Sequence, residues 1–78
     1  MNRDEVRRMI RQELEELAPE ADLASLDPNA DIREELDIDS FDFARFLTRL
    51  SEAMARDIPD EDFNRLTTLA GAEAYFDE

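Results

Sequence analysis

The stretch DSFDFARFLTRLSEAMAR, residues 39–56, carries the strongest structural signal in the sequence. Asp39 is a favoured helix N-cap, because its carboxylate can accept a hydrogen bond from a free backbone N–H group. After it, apolar residues recur at intervals of three and four, which places them on one helix face: Phe43, Phe46, Leu47, Leu50 and Met54. We therefore predict a helix that begins at Asp39, runs to about Arg56 and holds Ser40 in its first turn.

A second amphipathic pattern precedes this helix. Asn2 and Glu5 have the spacing of a capping pair, and apolar residues at helical intervals predict a first helix that ends near Pro19: Val6, Met9, Ile10, Leu14 and Leu17. Residues 19–39 show no sustained period, so we interpret them as a long loop held to the core by scattered apolar side chains. Connections of this length are uncommon in compact domains and are usually functional or disordered.

The C-terminal third predicts two more helical segments. Ile58-Pro59-Asp60 ends the helix that began at Asp39, and we expect Asp60 to cap a short turn. Thr67 or Thr68 then caps a final helix. Gly71 inside it costs about 1 kcal/mol relative to alanine, a cost that close helix contact at its small neighbours Ala70, Ala72 and Ala74 could offset. The predicted fold is all-α: a small four-helix bundle of three longer helices and one short one, with a long loop between helices one and two, in a single domain over residues 1–78.

Composition excludes several functions. Nine basic and 22 acidic residues give a net charge of −13, which disfavours nucleic acid and favours partners with basic surfaces. The absence of cysteine and histidine excludes disulfides, thiolate chemistry and the commonest metal ligand. Residues 1–20 contain no apolar run, so we expect neither a signal peptide nor a membrane span, and we expect a cytoplasmic monomer.

Ser40 is the candidate site. A serine at a loop-to-helix junction is more often a structural cap than a reactive group, so the triplet Asp39-Ser40-Phe41 decides little by itself. Its context is more informative: residues 35–41 (ELDIDSF) are followed by residues 57–62 (DIPDED) and then by residues 66–69 (LTTL).

With these three segments in this order, the chain resembles an acyl carrier protein over nearly its whole length. In that family an Asp-Ser-Leu at the start of helix two carries the attachment serine, an Ile-Pro-Asp segment closes the following loop, and a threonine-containing turn opens the last helix. The resemblance implies that Ser40 receives 4′-phosphopantetheine from coenzyme A. A separate, magnesium-dependent phosphopantetheinyl transferase would attach it, and Asp39 would cap the helix and help to place the transferase's metal and substrate.

The resemblance also implies a carrier rather than an enzyme. Acyl groups would travel as thioesters on the thiol of the arm, between loading and transferring enzymes of fatty acid, polyketide or lipid biosynthesis. The chain itself would supply no catalytic residue and no metal ligand. Asp39 stands where peptidyl carriers commonly have glycine, which favours the acyl class over the aminoacyl class. Asp37 and Phe41 depart from the glycine and leucine that are usual in the family.

Helix two departs further from the family, in which this helix is an acidic recognition surface. Arg45, Arg49 and Arg56 share one predicted face with Glu52, so we expect a specialised carrier with its own partner set. The predicted docking residues are Phe41, Arg45, Arg49, Asp60 and Glu61. The alternative is that the arginines only solvate a helix face, as surface charges commonly do. A second hypothesis is that Phe43 and Phe46 fill the space for an acyl chain, unless they are ordinary core residues.

Three other functions fit the sequence less well. Asp27, Asn29 and Asp31 have the spacing of the first calcium ligands of an EF-hand, but Ile32 and Ile38 stand where that loop needs glycine and glutamate. A serine hydrolase would need a histidine or a Gly-x-Ser-x-Gly turn, and the sequence has neither. An acidic helical interaction module without a prosthetic group explains charge and size equally well, but it does not explain the joint spacing of the three segments.

Overall fold

The computed structural model describes residues 2–77, and over these residues all regular structure is helical. Two 3₁₀ helices, Leu23–Ser25 and Asp60–Leu66, accompany four α-helices: α1 (Arg3–Leu17), α2 (Ile32–Leu36), α3 (Ser40–Met54) and α4 (Leu69–Asp77). The all-α prediction is therefore confirmed, with the 3₁₀ helix Asp60–Leu66 as the short helix of the predicted bundle.

Three predicted helix starts are confirmed by their hydrogen bonds. The Asn2 side chain accepts from the Glu5 N–H at 2.9 Å and donates to the Glu5 carboxylate at 3.2 Å. For α4 the cap is Thr68, whose hydroxyl accepts from the backbone N–H of Gly71 at 3.0 Å. The Asp39 cap of α3 belongs to the site described below. The predicted Asp60 cap is wrong, because Pro59 holds the cap position and no side chain caps this 3₁₀ helix.

The predicted loop of residues 19–39 is more ordered than its sequence indicates, because it contains the helix α2. The Asp31 carboxylate caps α2 by accepting from the Arg33 N–H at 2.9 Å. Asp37 ends the helix in the left-handed conformation, with φ of 53°, a conformation that glycine adopts without strain and aspartate tolerates. Ile32 is fully buried and donates its backbone N–H to the Thr67 carbonyl at 2.8 Å, which joins α2 to the start of α4.

One core, built mainly from α1, α3 and α4, holds the bundle together. It includes Phe43 and Phe46, which are 4% and 1% exposed, with ring centroids 6.0 Å apart. Both are therefore core residues, which was the alternative to the hypothesis that they fill the space for an acyl chain. The remaining buried apolar residues come from every α-helix and from the end of the second 3₁₀ helix: Val6, Ile10, Leu14, Ile32, Leu47, Leu50, Leu66, Leu69, Ala72, Tyr75 and Phe76.

An ion pair with one buried partner and a close backbone contact fix α4 in place. Glu73 is 5% exposed, and its carboxylate accepts from the Arg7 guanidinium of α1 at 2.9 and 3.1 Å. At Gly71, a Cβ atom would lie 2.4 Å from the Arg65 carbonyl oxygen, so only glycine fits there without a shift. The close contact expected around this glycine is thus made by Gly71 itself, against the second 3₁₀ helix.

Candidate functional site

Ser40 is the first residue of α3, and it is exposed. The preceding residue fixes its backbone: Asp39 is extended, with φ of −87° and ψ of 176°, and its carboxylate accepts from the Asp42 N–H at 2.8 Å. The Asp39 carbonyl also accepts from the Phe43 N–H at 3.0 Å, as the first bond of the helix. Ser40 is therefore held at a capped helix start, and the predicted cap, Asp39, is confirmed.

The Ser40 hydroxyl differs from every other hydroxyl group in residues 2–77, because it makes no hydrogen bond within them. Ser25 donates to the Asp22 carboxylate at 2.8 Å, and Ser51 donates to the Arg56 carbonyl at 2.6 Å. The remaining hydroxyl side chains also have partners: Thr48, Thr67, Thr68 and Tyr75. Ser40 thus offers the one exposed hydroxyl in the described chain that is not engaged within the fold.

The start of α3 can also accommodate a phosphodiester. Within residues 2–77 the backbone N–H groups of Ser40 and Phe41 have no acceptor, as expected for the first residues of a helix. Free N–H groups and the positive end of the helix dipole favour a negative group at this position. A 4′-phosphopantetheine linked through the Ser40 oxygen would place its phosphate beside these donors, so the residues present fit the group.

Phe41 stands next to the serine and projects into solvent. Its side chain is 86% exposed, and it is the one large apolar residue of residues 2–77 with this exposure. An exposed phenylalanine gains nothing from the fold, since apolar burial is what stabilises such a side chain. Around it the charge is acidic, with Asp37 and Asp39 exposed and Asp42 half-buried. The surface at Ser40 therefore pairs one apolar group with several carboxylates.

The arginines predicted to share one face of this helix do not form a single face in the structure, since α3 ends at Met54 and Arg56 lies beyond it. Arg49 donates to the Glu13 carboxylate of α1 at 2.8 Å and also pairs with Glu16. Arg56 reaches α4, where it donates to the Tyr75 carbonyl at 2.9 Å and lies 4.7 Å from the centroid of that ring. Arg45 is exposed, and no carboxylate of residues 2–77 forms an ion pair with it.

The acidic residues that follow α3 also differ in their contacts. Asp60 and Glu61 are exposed on the second 3₁₀ helix, whereas Asp62 accepts a hydrogen bond of 2.7 Å from the Tyr75 hydroxyl. This hydrogen bond is the largest of the causes that raise the pKa of Tyr75 above its ordinary value. Sequence reasoning missed both this pair and the Arg7–Glu73 pair, because partners 13 and 66 residues apart leave no local pattern.

The structure gives the EF-hand alternative no support. Asp31 is held by Arg33 at 2.8 and 3.1 Å, and this hydrogen bonding lowers the pKa of Asp31. Asp27 accepts from the Asn29 N–H at 2.9 Å, which makes it a turn residue. In the described part of the chain, no group of three or more acidic, histidine or cysteine side chains could hold a metal ion. Likewise, none of its helices has the length and apolar character needed to cross a membrane.

Comparison with known proteins agrees with this geometry. Residues 4–76 match the family model described as "Phosphopantetheine attachment site". An acyl carrier protein of Rubrobacter xylanophilus is 35% identical over 75 residues, which covers 96% of this chain and 91% of that protein. An acyl carrier protein of Lactobacillus acidophilus is 30% identical over 56 residues, or 72% of this chain and 70% of that protein. The match of the family model extends from α1 to α4 and includes Ser40.

Proposed function

Because this chain belongs to the phosphopantetheine-attachment family of acyl carrier proteins, we propose that Ser40 is the residue that carries its 4′-phosphopantetheine. Members of this family are carriers and not catalysts, and acyl-handling enzymes act on them. The observation that carries the assignment to Ser40 is its free, exposed hydroxyl, since the other two serines are hydrogen-bonded within the fold.

The attachment reaction needs little from the chain. The Ser40 oxygen attacks the phosphorus that bears the pantetheine in coenzyme A, a P–O bond forms, and adenosine 3′,5′-bisphosphate leaves. The serine proton passes to a base of the transferase. Asp39 keeps the serine at the helix start, and the free N–H groups of α3 favour the phosphodiester that results. The attached arm supplies a thiol on which acyl groups are carried as thioesters.

Intact-protein mass after incubation with coenzyme A, magnesium and a promiscuous phosphopantetheinyl transferase tests this proposal. We expect the parent chain to gain one phosphopantetheine and the Ser40→Ala variant to gain none. Ser25→Ala and Ser51→Ala are the matched controls, and both should be modified as the parent is. Modification of the Ser40→Ala variant, or none of a folded parent by several transferases, would contradict the assignment.

We also propose where partner enzymes dock. Phe41 is the apolar contact beside the serine, Arg45 is the exposed cation of α3, and Asp60 and Glu61 add exposed carboxylates. Arg49 is also a proposed docking residue, and its ion pairs with α1 hold its side chain in place. The mixed charge of α3 supports a carrier with its own partner set in fatty acid, polyketide or lipid biosynthesis. We also propose that the chain acts as a single-domain monomer in the cytoplasm, by analogy with the family.

A further inference from the structure

A groove of about 240 Å³ lies among the middle of α1, the loop that follows α1 and the start of α4. Its lining is mainly apolar and comes from all three segments: Ile10, Ala24, Leu26, Pro28 and Leu69. Backbone hydrogen bonding fixes the loop wall, because the Pro28 carbonyl accepts from the Ala70 N–H of α4 at 2.9 Å. Leu26, on the same wall, packs partly against the core. The groove is therefore a built feature of the fold, separate from the site at Ser40.

The size of this groove suits one apolar side chain. Sites that hold whole small molecules commonly measure about 300–1,000 Å³ and bury most of the ligand, and this groove is smaller. Ala24 and Pro28 on its loop wall are exposed, so a side chain bound there can belong to a segment that lies along the surface. Apolar anchors seated in pockets contribute much of the affinity of protein interfaces. The groove thus fits a segment of another protein.

A free arginine stands at the α1 edge of the groove. Arg7 and Arg11 both line it, and Arg7 is balanced by Glu73, whose carboxylate it binds at 2.9 and 3.1 Å. Arg11 is exposed and makes no ion pair or hydrogen bond within residues 2–77. The charged lining residues therefore leave one positive charge, in a chain whose net charge is −13. A guanidinium of this kind pairs most strongly with a carboxylate, often through two parallel hydrogen bonds.

The carboxylates nearby do not supply that partner. Asp27, in the loop after α1, accepts from the Asn29 N–H at 2.9 Å and does not line the groove. Glu15, one turn after Arg11, lies with it on the outer surface of α1, but the two side chains form no ion pair in the described part of the chain. A carboxylate for Arg11 is therefore left to the molecule that occupies the groove.

The groove and α3 lie on different sides of α1. Glu13 of α1 faces α3, where Arg49 donates to it at 2.8 Å. Arg7, on the groove side of α1, instead reaches Glu73 of α4. A segment bound in the groove therefore leaves α3 and Ser40 open to the enzymes that act on the carrier.

We propose that this groove is a second docking surface, which binds a segment of another protein in which one apolar side chain is followed closely by a carboxylate. The apolar side chain enters the groove, and the carboxylate pairs with Arg11. The inference goes beyond the proposed function, because it needs no arm on Ser40. It gives the carrier a way to be held by one protein while enzymes act on its arm.

A titration followed by ¹⁵N NMR tests the proposal with the acetylated and amidated peptide GSLEEGS. In about 0.15 M salt the Debye length is about 8 Å, so the more distant carboxylates of the chain repel this peptide only weakly. We expect shift changes at the backbone N–H groups of Ala24, Leu26 and Leu69, and none on α3. Two control peptides, GSSEEGS without the anchor and GSLKKGS with reversed charge, should shift these signals at least about threefold less at the same concentration.

Matched variants test the charge and the groove separately. Arg11→Gln should weaken the binding of GSLEEGS roughly two- to fivefold, as expected for the loss of one exposed ion pair. Arg45→Gln, which removes an exposed charge that also has no ion pair within residues 2–77, should leave the binding unchanged. Ala24→Glu places a carboxylate on the groove wall and should abolish binding, whereas Ala53→Glu, at an exposed position of α3, should not. Ser40→Ala should bind as the parent does.

Several outcomes would overturn the inference. No shift change at millimolar peptide, changes centred on α3, or equal changes with either control peptide would each remove the docking surface. Equal weakening by Arg11→Gln and Arg45→Gln would show that only the net charge matters. Shift changes in the groove that follow the concentration of the chain without peptide would show that a second copy of the chain occupies it. Failure to attach phosphopantetheine to Ser40 would leave all of these results unaffected, so the two proposals fail separately.

Discussion

The Arg49 guanidinium of α3 donates a hydrogen bond of 2.8 Å to the Glu13 carboxylate of α1. Glu16, one turn along α1, pairs with the same guanidinium. Arg49 therefore joins two helices, and its charge is largely balanced within the fold. Arg45, one turn earlier on α3, has no such partner in residues 2–77, so its charge faces solvent.

We expect Arg49→Gln to lower the free energy of unfolding by up to about 1 kcal/mol, because the Arg49 side chain is half exposed and exposed ion pairs contribute little. Arg45→Gln removes the same charge without breaking a pair, so its unfolding free energy should equal that of the parent. Urea unfolding followed by circular dichroism measures both. Equal losses in the two variants would contradict the assignment of the ion pair to Arg49.

The same pair of positions separates stability from docking. Arg45→Glu should raise the rate at which a generic acyl transferase of fatty acid synthesis loads an acetyl group onto the modified carrier, because it makes α3 acidic, as in the family. Arg11→Glu, an equal charge reversal at an exposed position of α1, is the control and should leave the rate unchanged. If Arg45→Glu is loaded no faster than the parent, Arg45 has no role in docking and its charge only solvates a helix face.

Phe41→Ala tests the exposed aromatic group. With 86% of the side chain exposed, its truncation should change the unfolding free energy by less than about 0.5 kcal/mol. We expect the rate of modification at Ser40, or of later acyl transfer, to fall, since exposed aromatic groups are often binding anchors. Glu52→Ala, also exposed on α3, is the control. Unchanged rates with every partner tested would assign no docking role to Phe41.

Much of this site could be predicted from local sequence. The Asp39 cap, the stripe of α3 and the Thr68 cap depend on residues within a few positions of one another, so their patterns are visible. The helix α2 is different, because five residues are too few to show a helical period. Its end is also hidden, since Asp37 occupies a left-handed position where glycine is the usual signal.

The free hydroxyl of Ser40 could not be predicted from sequence, and neither could the different partners of the arginines in and just after α3. Both depend on which partners the other side chains find across the bundle. Arg49 and Glu13 are 36 residues apart, and Arg56 and Tyr75 are 19 apart. Helical periodicity places arginines on a face, but only the packing of α1 and α4 against α3 decides which of them remains free.

Asp39 combines a structural role with a proposed functional one, and two substitutions separate them. Asp39→Ala should lower the unfolding free energy by about 0.5–2 kcal/mol through loss of the cap, whereas Asp39→Asn should retain most of it. If the carboxylate also helps the transferase, Asp39→Asn will be modified slowly although it is stable. Thr68→Ala, which removes the cap of α4, controls for stability loss and should be modified at the parent rate. Parent-like modification of Asp39→Asn would leave Asp39 with the cap alone.

Gly71→Ala should destabilise the fold, although alanine is favoured over glycine in a helix by about 1 kcal/mol. The added Cβ would lie 2.4 Å from the Arg65 carbonyl oxygen, so α4 and the second 3₁₀ helix must separate. The control is Ala74→Gly at an exposed position of α4, which should cost about 1 kcal/mol from propensity alone. Thermal unfolding measures both. A Gly71→Ala variant more stable than the parent would contradict the close contact.

The single tyrosine gives the sharpest test of the C-terminal packing. The chain has one tyrosine and no tryptophan, lysine or cysteine, so Tyr75 is the only side chain expected to titrate between about pH 9 and 12. Its hydrogen bond to Asp62, together with burial, raises its pKa. Phenolate absorbance should therefore rise at a higher pH in the native protein than in urea, where the midpoint should lie near pH 10.

The stability of the protein should follow the same titration. Because the folded pKa of Tyr75 is raised above the unfolded value, its contribution is fully present below about pH 10 and is lost as the pH rises through the folded pKa. Tyr75→Phe keeps the ring that Arg56 and Arg65 contact but removes the hydrogen bond. This variant should lose about 1 kcal/mol at neutral pH and show a flatter dependence of stability on pH above 9. A native midpoint at or below the urea value would mean that Asp62 does not hold the tyrosine hydroxyl in solution.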